Sequence, residues 1–255
     1  MKDFMSHLAR GAGKILLKYF RRPLEFTEKK DAGFVTRADL ESEAYLIGEI
    51  QRRFPRSDII AEESGERIGN NPLRWIIDPL DGTTNYGNAI PFFAVSIALE
   101  QQGSLTCGAI YNPVTEEYFY GEKGKGVWLN DEAVTISSQT DLSKAVLATG
   151  DTYYRGEGFR KDMEVITRVY AQCRVVRLQG SVALALAYTA AGKLDGFWLE
   201  HCNSWDVAAG IVMVREAGGI VEDFTREGPG AGIPSSIVAA NLLLLPGIRD
   251  LLNRP

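Results

Sequence analysis

Residues 75–85 read Trp-Ile-Ile-Asp-Pro-Leu-Asp-Gly-Thr-Thr-Asn, and such a stretch permits few local folds. Trp75-Ile76-Ile77 is a short apolar run of the kind that ends a buried strand. Pro79 has no N–H for a sheet ladder and keeps Asp78 extended, so the strand is expected to stop there. Gly82 allows a close turn, and Thr83 or Thr84 suits the cap of a following helix. Asp78 and Asp81 therefore stand at a strand-to-helix corner, beside the N–H groups of a helix start. Carboxylates in that place suit hard cations, and the N–H groups suit a phosphate. The stretch is a candidate metal-assisted phosphate site.

The 255 residues are enough for one large core, or for two lobes around one cleft. A formal net charge of −5 gives no general pull toward nucleic acid or an anionic membrane. An anionic substrate would then need a local positive centre, which bound metal supplies. Cys107, Cys173 and Cys202 are odd in number and widely spaced, which argues against a disulfide framework and suits a reducing compartment. Met1 to His7 lack the apolar core of a signal peptide, and no run is long enough to cross a bilayer. The expectation is a cytoplasmic protein with no membrane and no nucleic-acid partner.

Apolar residues at helical spacing predict helices at 3–20 and about 37–54, the second with Leu40, Ala44, Ile47, Ile50 and Phe54 on its buried face. Asp58 to Ala61 reads as a short strand emptying into Glu62-Glu63. From 92 to 136 the period shifts to two, as in an antiparallel meander that continues the sheet carrying Asp78. Gly124-Lys125-Gly126 reads as a hairpin turn in it. Beyond about 140, strands at 145–149, 175–178, 194–199, 220–221 and 237–240 alternate with helices at 157–172, about 182–191, 205–217 and 242–252. This contrast predicts two packed lobes, 1–140 with a mixed or antiparallel sheet and 141–255 as a smaller α/β lobe.

Acidic residues just after strands are the main chemical signal. Glu62 and Glu63 follow 58–61, Asp78 and Asp81 follow 74–77, and Asp206 stands at a helix start. Oxygen-only ligands favour Mg²⁺ or Mn²⁺, and His7 and His201 lack the spacing of a zinc site. Several carboxylates in one cleft repel each other and raise each other's pKa unless cations neutralise them.

Five ordered blocks then resemble the inositol monophosphatase family over residues 1 to about 245: 34–39 (FVTRAD), 61–64 (AEES), 75–86 (WIIDPLDGTTNY), 180–196 (from GSVALALAY to GKLDG) and 205–210 (WDVAAG). The resemblance implies a layered α/β fold, an α-β-α-β-α sandwich of the sugar-phosphatase type. It implies a Mg²⁺-dependent phosphomonoesterase acting on inositol phosphate or another small polyol phosphate, with Mn²⁺ able to substitute. The close alternatives are histidinol phosphate, a 3′-phosphoadenosine nucleotide and fructose 1,6-bisphosphate. A homodimer and inhibition by lithium are also implied, and so is a second class of role, a regulatory protein-binding module in transcription complexes.

On the same resemblance Glu62, Asp78 and the Leu80 carbonyl hold one Mg²⁺, Asp78, Asp81 and Asp206 a second, and a third ion binds near Glu62. Thr83 orients the attacking water, with Glu62 and Asp39 close behind. Gly82 and Thr83 offer N–H groups to the phosphate, and Lys29 and Lys30 help attract it. The substrate's alcohol part faces Gly180, Ser181 and Val182. Many inositol-type members carry a Glu seven residues before the Asp of W-D, as an acceptor for ring hydroxyls. Here that position is Leu199 and the acid is Glu200, on the opposite face if the strand continues. His201 and Asn203 are the candidate replacements.

Overall fold

The computed structural model describes residues 1–23, 27–28, 34–150, 157–225 and 233–254. Lys29 and Lys30 lie outside them. Helix α1 (Lys2–Tyr19) is followed by a small ribbon of β1 (Thr27–Glu28) and β2 (Phe34–Val35), then helix α2 (Arg37–Arg53). The first large sheet is built from β3 (Asp58–Ala61), β4 (Gly65–Arg67), β5 (Leu73–Asp81), β6 (Ala94–Gln101), β7 (Ser104–Asn112), β8 (Glu117–Glu122), β9 (Gly126–Leu129) and β10 (Glu132–Val134). Its order is β10-β9-β8-β7-β6-β5-β3-β4, antiparallel except for the β3–β5 pair. The expected meander is thus one sheet with the Asp78 strand, and Lys125 N–H closes the β8–β9 turn onto the Glu122 carbonyl.

A short helix α3 (Thr83–Gly87) follows β5. The second sheet holds β11 (Val146–Thr149), β12 (Val175–Leu178), β13 (Gly196–Leu199), β14 (Ile220–Glu222) and β15 (Ile237–Ala240), in the order β12-β11-β13-β15-β14. Helices α4 (Glu157–Tyr170), α5 (Val182–Ala190), α6 (Ser204–Glu216) and α7 (Leu245–Leu252) complete the chain.

Side-chain alternation in β5 explains the layering. Trp75 and Ile77 point to one face and pack with Leu8, Leu16, Leu46 and Ile50 of α1 and α2. Ile76 points to the other and joins Leu184, Leu186, Val207 and Met213 of α5 and α6. A strand buried on both faces needs such a continuous apolar run. Beyond α5 and α6, the second sheet buries Leu147, Trp198 and Val238 against Ile248 and Leu251 of α7. The order helix, sheet, helix, sheet, helix is the sandwich expected of the chain.

Three local expectations are corrected. First, β5 does not stop at Pro79 but runs to Asp81 through a register shift, with Asp78 opposite Ser96 and Asp81 opposite Ala94. A bulge needs no ladder donor from the proline, and the Asp78 carboxylate takes the Leu80 N–H (2.9 Å) that the ladder gives up. Second, neither Thr83 nor Thr84 caps α3. Gly82 does so in the left-handed region, at φ 93°. Third, α2 keeps Ile47, Ile50 and Phe54 of its predicted stripe on the core, but turns Leu40 and Ala44 outward. Leu40 is 53% exposed and Ala44 is exposed, while Asp39, Ser42 and Glu43 are buried with Leu46 and Ile50. Polar partners on the sheet side, rather than hydropathy, set that face.

Candidate active site

A cleft of about 690 Å³ opens between the two sheets. At its inner end Asp78, Asp81 and Asp206 each offer an oxygen within 4.8 Å of the others. Glu62, Leu80, Gly82 and Thr83 line the same end. Three elements, β5, α6 and the segment after β3, bring the four acids together, and backbone N–H groups hold Asp78, Asp81 and Asp206. Asp78 sits on the β5 bulge. Asp81 accepts the N–H groups of Val182 (3.2 Å) and Ala183 (2.8 Å) and the Ser181 hydroxyl. Asp206, in the first turn of α6, accepts the Asn203 N–H (3.0 Å) and side-chain amide (3.2 Å). Glu62 follows β3, its own N–H donating to the Ile77 carbonyl (3.3 Å).

Asp39 stands behind Thr83 rather than on the cleft wall. One of its oxygens accepts the Thr36 N–H (2.9 Å) and hydroxyl (2.6 Å), closing the first turn of α2. The other faces the Thr83 hydroxyl at 3.4 Å, while that hydroxyl lies 3.1 Å from the Leu80 carbonyl. A hydroxyl has one proton, so Thr83 donates to one acceptor at a time and keeps lone pairs for a third group.

Two glycines are required by close approach. A Cβ on Gly82 would meet the Gly180 carbonyl oxygen at 2.9 Å, and one on Gly180 (φ 74°) would meet the Asn85 amide nitrogen at 2.8 Å. That amide ties the site together, donating to the Phe92 (2.7 Å) and Gln179 (2.6 Å) carbonyls.

The whole chain matches the model of the inositol monophosphatase family, over residues 1–253. The chain belongs to that family. It is 40% identical to Nus factor SuhB of Salmonella typhimurium (strain LT2) over 236 residues, 91% of this chain and 88% of that protein. It is 36% identical to an inositol-1-monophosphatase of Rhizobium meliloti over 250 residues, 96% of this chain and 92% of the relative. The crystal structure of extragenic suppressor protein suhB from Bartonella henselae superposes with a TM-score of 0.92 at 38% identity, covering 99% of this chain and 98% of that one.

As a member of the family the chain is a phosphomonoesterase, and its acids behave as a phosphatase cluster without cations should. Burial, then the charges of Glu62, Asp81 and Asp206, push the Asp78 carboxyl well above its ordinary range. Burial raises Asp81 to about 6, although Ser181 and the start of α5 oppose the rise. Burial and the charge of Asp81 raise Asp206 to about 7. Holding Asp206 ionised at that depth costs on the order of 4 kcal/mol. Burial also lifts Asp39 to about 6.

The outer wall of this phosphatase cleft differs from the expectation. Ser181 is buried and bonded to Asp81, leaving Gly180 and Val182 on the cleft. β13 ends at Leu199, so strand alternation no longer applies, and Leu199, Glu200, His201 and Asn203 all line the cleft. Asp162 of α4 also lines it, and its carboxyl is raised by burial and by the charge of Glu200. Sequence reasoning missed Asp162, which no motif marks, and Asn85, which the D-G-T-T-N block contained. It also missed Glu43, one helical turn beyond Asp39. Among the described residues, no helix is long and apolar enough to cross a membrane.

Proposed function

We propose that this chain hydrolyses inositol monophosphate, or a similar small polyol phosphate, with Mg²⁺. One observation carries the reading. Among the described residues lining the cleft there are six carboxylates, Glu62, Asp78, Asp81, Asp162, Glu200 and Asp206, and no Lys or Arg. A phosphate ester entering that wall is repelled unless cations bind first, and a buried all-oxygen set suits Mg²⁺, with Mn²⁺ as substitute. The carboxylates of Glu62, Asp78, Asp81 and Asp206 and the Leu80 carbonyl would hold two to three ions. Bound Mg²⁺ would supply a lowered pKa for the attacking water and charge stabilisation for the leaving alkoxide.

The chain's own groups do the rest. The Thr83 hydroxyl donates to Leu80 or Asp39 and accepts from the water, fixing its line of approach; its own pKa is too high for a base. Asp39 and Glu62 stand ready for the proton. Gly82 and Thr83 offer N–H groups to the phosphate oxygens. Glu200, presented past the end of β13, faces the alcohol with Gly180 and Val182, Asp206 bridges the two ends, and Leu199 leaves one acceptor position unfilled. In this division residues 1–140 carry most metal ligands, and 141–255 carry the alcohol contacts and Asp206.

Phosphate release from inositol 1-phosphate, histidinol phosphate, a 3′-phosphoadenosine nucleotide and fructose 1,6-bisphosphate, with and without Mg²⁺, tests the reading. Mg²⁺-dependent turnover fastest on inositol 1-phosphate supports it; preference for another ester or turnover in EDTA overturns it. The reading also includes a homodimer, lithium inhibition and a cytoplasmic location, the first two checked by sedimentation and LiCl titration. The relatives named Nus factor SuhB favour a second reading, a regulatory binding role. Restoration of a null strain's phenotype by the Asp81→Asn protein would favour that role over catalysis.

A further inference from the structure

Helix α2 carries a buried carboxylate that the chemistry above does not use. Glu43 is 4% exposed, and its Oε2 accepts the backbone N–H of Glu63 at 2.8 Å. Glu63 is the residue directly after Glu62, whose own N–H donates to the Ile77 carbonyl at 3.3 Å. The peptide units on both sides of Glu62 are therefore tied, one to β5 and one to α2. With both peptide units held, the Cα–Cβ direction of Glu62 is set, and its side chain starts from one fixed point toward the cleft. The same face of α2 carries Ser42, whose hydroxyl donates to the Pro79 carbonyl (3.2 Å) beside Leu80, and Asp39, which faces Thr83. Positions 39, 42 and 43 share one helix face by their spacing. They meet the β3 end, the β5 bulge and the α3 start.

We propose that Glu43 is a positioning residue, setting the Glu62 carboxylate for metal through the Glu63 peptide. This rests on the assignment of Glu62 as a metal ligand. At this depth little solvent competes for the Glu63 N–H, so the Glu43 acceptor decides where that peptide lies. Its place beside the Glu62 loop fits an acceptor that sets the Glu63 peptide. Acceptors behind metal ligands typically contribute a factor of roughly 10–100 in metal affinity or activity.

The test measures Mn²⁺ affinity by titration calorimetry and by the loss of the free-ion electron paramagnetic resonance signal, with no substrate present. The proteins are wild type, Glu43→Ala, Glu43→Asp, Glu43→Gln and Glu62→Gln. Asp keeps the charge but retracts the acceptor; Gln keeps an acceptor in place without the charge. Weakening of roughly tenfold or more in Ala and Asp, with Gln within about threefold of wild type, is the expected result. Thermal melting of the metal-free proteins runs alongside. Lower melting temperatures with unchanged Mn²⁺ affinity in Ala and Asp would overturn the inference and leave a structural role only. If Ala does not fold, Asp decides the matter alone. Wild-type affinity in Glu62→Gln would overturn the metal assignment and the inference with it, whereas a weakened Glu62→Gln beside unchanged Glu43 variants would overturn the inference alone.

Discussion

The two ends of the cleft are built by different means. At the inner end, each of Asp78, Asp81 and Asp206 is gripped by backbone N–H groups from a bulge or a helix start. Gly82 and Gly180 leave no room there for a side chain, since an added Cβ would come within 3 Å of the Gly180 carbonyl oxygen and of the Asn85 amide respectively. At the outer end, Leu199 and Glu200 lie where β13 has run out, and Asp162 reaches in from a helix of the second sheet's outer layer. Main-chain scaffolding tolerates little change in side chains, whereas side chains at the end of a strand can be exchanged without disturbing a ladder. On the proposed assignment, phosphate chemistry and alcohol recognition are then separately adjustable in this molecule.

The comparison can be broken most sharply at the inner end. Asp81→Asn is expected to lower Mg²⁺-dependent kcat by at least roughly a hundredfold, beyond what outer partners of metal ligands contribute. Its circular dichroism should match wild type, because the one amide oxygen still accepts from Ala183 and Ser181, and only the longer Val182 contact is given up. Near-wild-type kcat would sink the two-ion assignment. Gly82→Ala should reduce unfolding free energy by about 1–3 kcal/mol, since the new Cβ adds backbone strain and meets the Gly180 carbonyl. Urea denaturation reads this, and an unchanged midpoint would mean that the inner wall is softer than its contacts suggest.

At the outer end the effect is smaller and of opposite sign. Leu199→Glu is expected to raise kcat/KM for inositol 1-phosphate by up to about tenfold, the worth of one hydrogen bond to a charged acceptor. The Mg²⁺ requirement should stay as it was. If the substitution slows a wild type that already turns over inositol 1-phosphate well, Glu200 has taken the acceptor's place.

The pH dependence sharpens the contrast further. Asp39 and Asp81 titrate near 6 and Asp206 near 7 in the folded protein without metal, above the 3.8 of an unfolded chain. A carboxyl raised on folding stabilises the native state below the unfolded value and loses that contribution as pH rises through the folded one. The metal-free melting temperature should therefore fall between pH 4 and 7, by a few degrees for each ~1 kcal/mol lost. Added Mg²⁺ should raise the melting temperature more at pH 7.5 than at pH 5.5, where protons compete for the same oxygens. Calorimetric scans at the two values check both signs.

Much of the inner end was legible along the chain, because its parts are local. Asp78, Pro79, Asp81 and Gly82 are neighbours, and their chemistry announces a corner and a cation. The capping of α2 by Thr36 and Asp39 is equally local, yet it came to light only in the structure. The turned face of α2 was not legible. Periodicity assigns burial by hydropathy, and Asp39, Ser42 and Glu43 are buried for the sake of hydrogen bonds to segments distant in sequence. The bulge at Pro79 was hidden for a different reason: its compensation is local, but comes from a carboxylate that could equally have faced solvent.

By itself, the sequence determined the run of helices and strands, the acids next to strand ends and the turn at Gly82, because hydrophobic period and backbone stereochemistry act over a few residues; the layering was implied by the family resemblance. Tertiary structure alone decided that Asp206 comes within 4.8 Å of Asp78 and Asp81, and that Ser181 grips Asp81 instead of lining the cleft. It also decided that Glu200 reaches the cleft beside Leu199. Those outcomes depend on where two sheets and the helices between them come to rest, and no local rule of the chain carries that distance.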